Sequence, residues 1–224
     1  MLNYEVMMTS LDSQDLRAVA TAFALERQVL IPDLARSIED KEKIAAGLLL
    51  CLSLAIGQTI AGVKIERIAR IEPPGRNQGL IDFKLICRPP DLTQVDLGIC
   101  VLPFPDLELV NDAYNRLLVC KDFGINLLCL IRQGDLKTNL RQSPTWLPKL
   151  LSADLGGSLV TLKSQDALGI LTTLAVFAHK RQYGVTNQMI FNHVLTHELV
   201  VNNDLIKNIL TTTRFWVKWV EVNW

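Results

Sequence analysis

Asp82 and Asp96 each stand near the start of an apolar, strand-like run, GLIDFKLI over 79–86 and VDLGICVL over 95–102. Two carboxylates on neighbouring strands are a ligand set for a hard divalent cation, Mg²⁺ or Mn²⁺. Such an ion activates water and neutralises a phosphate. Lys84 follows Asp82 by two residues, so strand alternation puts both on one face, where an ammonium can hold charge on a nucleophile or a phosphate. Glu42, at the start of a helix-like segment, offers a third carboxylate. The same alternation puts residues 96, 98 and 100 on one face, and residue 98 is a glycine with no group to offer. The same residues have a purely structural reading. Asp82 and Lys84 then pair with neighbours on a solvated face, Asp96 ends a strand, and Gly98 marks a bulge or the close packing of a helix.

The elements that must position these groups read as follows. Asp12 or Ser13 caps a helix to about Leu30, with Leu16, Val19, Ala20 and Phe23 on one face. A second helix opens over Glu39 to Lys43, with acids at its positive end, and Gly62 ends it. Val63 to Ile71 alternates as a strand does, and the cluster PPGRNQG over 73–79 turns the chain into the first aspartate-bearing strand. Pro103 and Pro105 stop the second aspartate-bearing strand, Asp106 caps a helix to about Phe123, and Ile125 to Arg132 is a continuous apolar run typical of a central strand. Beyond a polar loop come a short helix near 146–151, a strand at 158–162, a strong helix over 165–182, a turn at Tyr183-Gly184, a helix capped by Thr186 and a further helix over 202–213. The chain ends on strand-like RFWVKWVEVNW.

The order α-β-β-β-α-β over about residues 41–132, with an acid on the second strand and another on the third, resembles the core of the restriction-endonuclease-like PD-(D/E)xK superfamily. The resemblance implies an α/β fold, a small mixed sheet flanked by helices, here with a helical C-terminal subdomain. It also implies Asp82 as the first metal-binding acid, Asp96 as the second, and a lysine at position 98. Gly98 breaks that pattern. Two functions follow. The first is a non-catalytic, nuclease-like subunit, a pseudo-nuclease that binds a protein or nucleic-acid partner within an assembly. The second is a divalent-metal-dependent DNA endonuclease or phosphodiesterase, in which Asp82 and Asp96 work with a relocated Lys84, Mg²⁺ or Mn²⁺ is the cofactor, and Glu42 is the helix acid.

Other constellations carry less. His193 and His197 share a helix face, the spacing of a zinc pair, but no glutamate lies between them as H-E-x-x-H or H-x-x-E-H requires. The C-terminal helices loosely resemble a winged helix, in which Lys207 and Arg214 would meet a nucleic-acid backbone. No Walker-type phosphate loop, no G-x-G-x-x-G after a strand and no G-x-S-x-G elbow occurs.

Composition bounds the rest. The 224 residues are 49% hydrophobic and 21% charged, a globular balance. Lys plus Arg and Asp plus Glu are 23 each, so no global field draws the chain onto nucleic acid or an acidic membrane. A protein partner is therefore expected first. The five cysteines sit in apolar runs without C-x-x-C spacing, as reduced, cytoplasmic thiols do. The apolar stretch 44–61 is long enough for a short membrane span, but Ser53, Gln58 and Thr59 favour a buried helix. Three segments are expected: a helical one over 1–40, the nuclease-like core over 41–162 and a helical part over 163–224.

Overall fold

A computed structural model describes residues 12–71, 81–90, 94–102, 123–133 and 157–212. Helix α1 spans Ser13–Leu30, and its N-terminal amides of Gln14 and Asp15 donate to the Asp12 carboxylate, each at 2.8 Å. A turn of 3₁₀ helix, Ile31–Asp33, leads into α2, Leu34–Glu39, and then α3, Lys41–Leu54. Asp40 caps α3 through the Lys43 amide at 3.1 Å, and that hydrogen bond holds its carboxyl below the ordinary aspartate range.

Helix α3 stops at Leu54 rather than at Gly62. Gly57 takes φ +88°, and its N–H donates to the Ile65 carbonyl at 2.8 Å. Strand β1 (Thr59–Ile60) follows, and β2 (Val63–Ala69) returns beside it. Ile60 pairs with Val63, so the loop is the two residues Ala61 and Gly62, both with positive φ, as the tightest hairpins require. The glycine that read as a helix terminator is a hairpin residue. The apolar stretch 44–61 thus breaks into helix, turn and strand, and no helix among the described residues is long and apolar enough to cross a membrane.

Among the described residues, strands β3 (Phe83–Arg88), β4 (Val95–Leu102), β5 (Leu127–Gln133) and β6 (Gly157–Leu162) join β1 and β2 in a six-stranded sheet in the order β1-β2-β3-β4-β5-β6. The first four strands form an antiparallel meander, whereas β5 and β6 run parallel to β4. Glu66 is the extra residue of a bulge between β2 and β3, and its carboxylate meets Arg88 at 2.8 Å. The turn expected at 73–79, the helix expected at 106–123 and the elements expected at 146–151 and after residue 212 lie outside the described residues.

Among the described residues, three helices follow the sheet: α4 (Ser164–His179), α5 (Asn187–Thr196) and α6 (204–212). Thr186 caps α5 through the Met189 amide at 3.2 Å. Asn203 caps α6 through the Ile206 amide and reaches back to the Asp166 carbonyl, each at 3.2 Å.

Alternation along the strands then sorts the core into two layers. Phe83, Leu85, Leu97, Ile99, Val101, Cys129 and Ile131 face the helices and join Val19, Leu48, Ile170, Ile190 and Leu205 in one cluster. Segments 1–40, 41–162 and 163–224 all contribute to it. The opposite face carries a second cluster of Ile71, Ile81, Cys100, Phe123, Ile125, Leu128 and Leu130. The chain is therefore an α/β protein, a mixed sheet flanked by helices.

Candidate functional site

The register of β3 on β4 decides where the two aspartates stand. Lys84 lies opposite Gly98, and Asp96 lies opposite Ile86. Asp82 immediately precedes β3, one step before the Phe83–Ile99 pair, at the far end of the ladder from Asp96. The two positions differ by about four residues along the strand, roughly 13 Å at about 3.3 Å per residue. A single ion with oxygen ligands near 2.3–2.6 Å needs them within about 5 Å. Asp82 and Asp96 therefore do not share one, and the two-strand metal site expected from sequence is not assembled.

Each carboxylate instead has its own local partners. Asp82 closes the end of the β3–β4 ladder. Its N–H donates to the Ile99 carbonyl at 2.8 Å, and its Oδ2 accepts from the Val101 N–H at 2.7 Å. Its Oδ1 meets Lys41 Nζ at 3.3 Å, at the first residue of α3. Burial pushes the Asp82 carboxyl up, against the pull of Lys41 and the Val101 amide. Glu42, the expected helix acid, is exposed on that first turn, next in sequence to Lys41.

At the other end, Asp96 Oδ2 takes Lys84 Nζ at 2.9 Å, and its Oδ1 accepts from Gln94 Nε2 at 2.8 Å. Asn126 ties β5 to the same point: Asp96 N–H donates to Asn126 Oδ1 and Asn126 N–H to the Asp96 carbonyl, both at 2.8 Å. Lys84, expected to serve Asp82, is thus an ion-pair partner of Asp96. The reason is diagonal neighbourhood across an antiparallel pair, which brings long side chains two positions apart into reach.

Position 98 is closed. A Cβ on Gly98 would lie 3.0 and 3.2 Å from two methyls of Ile125 and 3.4 Å from Leu128. The glycine lets Ile125 and Leu128, before and within β5, pack against β4, in place of the bulge or close-packed helix of its structural reading.

This geometry predicts independence. In a double-mutant cycle of Asp82→Asn and Asp96→Asn, measured by denaturant unfolding, the coupling should stay below about 0.5 kcal/mol, the limit for sites without shared partners. A coupling above about 1 kcal/mol would mean that the two groups act as one site.

The remaining sequence candidates separate further. His193 is buried and its ring stacks on Phe23 of α1, centroids 4.4 Å apart. The His197 ring stands 4.3 Å from that of His193, tilted by 46°. The zinc spacing is thus used for ring packing, and among the described residues no three His, Cys, Asp or Glu side chains are grouped to hold a metal. Lys207 is on α6, with Nζ 3.3 Å from Asn202 Oδ1, and Arg214 lies outside the described residues. Burial pushes the thiols of Cys51, Cys87 and Cys129 up to about 12, so none is a ready nucleophile.

Sequence reasoning missed one polar centre. Glu26, buried on α1, accepts from Tyr183 O–H at 2.8 Å and contacts His179 Nδ1 at 2.6 Å, both through Oε1. The only sequence signal was an acid on the apolar face of α1, since its partners lie more than 150 residues away. Lys41, Gln94 and Asn126 were likewise missed as partners of the two aspartates.

Comparison with protein-family models, with curated proteins and with solved structures gave no match for this chain.

Proposed function

We propose that this chain is a non-catalytic, nuclease-like subunit that binds a partner within a larger assembly. The observation that carries the reading is position 98. The superfamily resemblance requires a lysine there to manage the charge of the nucleophile, and the site holds a glycine against which Ile125 and Leu128 pack. The register supports the same reading. Asp82 and Asp96 stand about four positions apart, each with its own lysine, which supports a chain without a shared acid-pair centre. The equal numbers of basic and acidic residues favour a protein partner over a nucleic acid.

The test is calorimetric titration with Mn²⁺ and Mg²⁺, beside Asp82→Ala, with plasmid cleavage measured on the same samples. The expected result is no saturable heat and no cleavage in either protein. Metal binding or cleavage that disappears in Asp82→Ala would overturn the non-catalytic reading and restore the metal-dependent phosphodiesterase.

A further inference from the structure

The chain has three histidines, and all lie in the helical layer. His179 is held by Glu26 of α1, whereas His193 is stacked on Phe23 one turn earlier in α1. His193 is 8% exposed, and its second neighbouring ring is another imidazole, His197, at 4.3 Å. A neutral imidazole fits this place. An imidazolium there loses its water, gains no opposite charge from Phe23, and is repelled by any charge on His197.

The acids nearest in sequence to Phe23 and His197 are engaged elsewhere. From α1, Glu26 is engaged by His179 Nδ1 and Tyr183 O–H through Oε1. From its own helix end, Glu198 accepts from Asn202 Nδ2 at 2.6 Å. Burial and then His197 hold the His193 ring down at about 4, against an ordinary 6.5.

We infer that the packing of α5 on α1 is an acid-sensitive clasp, with the His193 ring, stacked on Phe23 and beside His197, as its trigger. In neutral solution both folded and unfolded chains carry His193 uncharged. As pH falls through 6.5 the unfolded chain takes the proton first, so stability is lost progressively until the folded ring titrates near 4. The opening unstacks Phe23 and uncovers the apolar face of α1. Asp82 and Asp166, whose carboxyls burial pushes up, respond to acid in the opposite sense, so a variant comparison is needed to isolate the histidine.

The experiment is an NMR titration of the histidine ring signals and the α1 amides, with thermal melts from pH 7 to pH 4, on the native chain and on His193→Phe. The expected result is a His193 signal titrating near 4 together with the α1 amides. The native melting midpoint should also fall by roughly 5–10 °C more than that of His193→Phe. Should His193→Phe not fold, His197→Gln, at an exposed position, should raise the titration midpoint of His193 by removing the neighbouring imidazole. A His193 midpoint near 6.5, α1 amides indifferent to its titration, or equal acid sensitivity in the native chain and His193→Phe would overturn the inference.

Discussion

Gly98→Lys, which places in β4 the lysine that the proposed nuclease-like reading lacks, should cost about 4 kcal/mol and yield no nuclease. The steric part comes first. The new Cβ would meet Ile125 at 3.0 and 3.2 Å and Leu128 at 3.4 Å, inside a packed cluster. Overpacking of this kind costs about 1–3 kcal/mol. The charge adds to it. Residue 98 lies directly opposite Lys84, whose ammonium already occupies Asp96 Oδ2, so a second lysine meets a like charge and an apolar wall. For a chain of this size the melting midpoint should drop by roughly 10 °C in a circular-dichroism melt. Gly98→Ala carries only the steric part, about 1–2 kcal/mol. Ile125→Val, which removes the nearest methyl, should recover part of that loss. If Gly98→Lys melts with the native protein, position 98 is not the closed contact described and the case for a non-catalytic sheet weakens with it.

The second large effect lies where α3 crosses α4. A Cβ on Gly47 would come within 2.6 Å of Ile170 Cγ2 and 3.3 Å of the Ile170 carbonyl oxygen. The two helices must part for even a methyl group. Gly47→Ala therefore sets a steric cost of about 3 kcal/mol against a gain of about 1 kcal/mol in helix propensity, a net loss of about 2 kcal/mol. The sign is the informative part, because Ala for Gly in an unencumbered helix stabilises. Urea unfolding measures it. Ile170→Val keeps the clashing branch methyl and should give no rescue of Gly47→Ala, whereas Ile170→Ala should rescue in part. A stabilised Gly47→Ala protein would show that the crossing relaxes freely.

Much of the fold was legible because its signals are local. Asp12 and Thr186 read as helix caps and act as such, since a cap needs only the two or three amides that follow it. The run over 95–102 became β4 without a shift in its bounds. Gly62 shows the limit of local reading. Its positive φ was inferable, but whether that φ ends a helix or turns a hairpin depends on β2 pairing with β1. The candidate site was less legible for the same reason. Strand alternation put Lys84 on one face with Asp82 and residues 96, 98 and 100 on one face of the next strand, and it said nothing of how far one strand slides along the other.

Sequence alone thus determined the runs that became α1, β2, β4 and β5, the caps at Asp12 and Thr186, and that an aspartate pair stood near a glycine. Tertiary structure alone decided that Asp82 belongs with Lys41 and the Val101 amide, that Asp96 belongs with Lys84, Gln94 and Asn126, and that Ile125 fills the space above Gly98. The physical reason is register. Periodicity fixes the direction of a side chain from its own backbone, but the distance between two side chains on different strands is set by the pairing offset, which no single strand encodes.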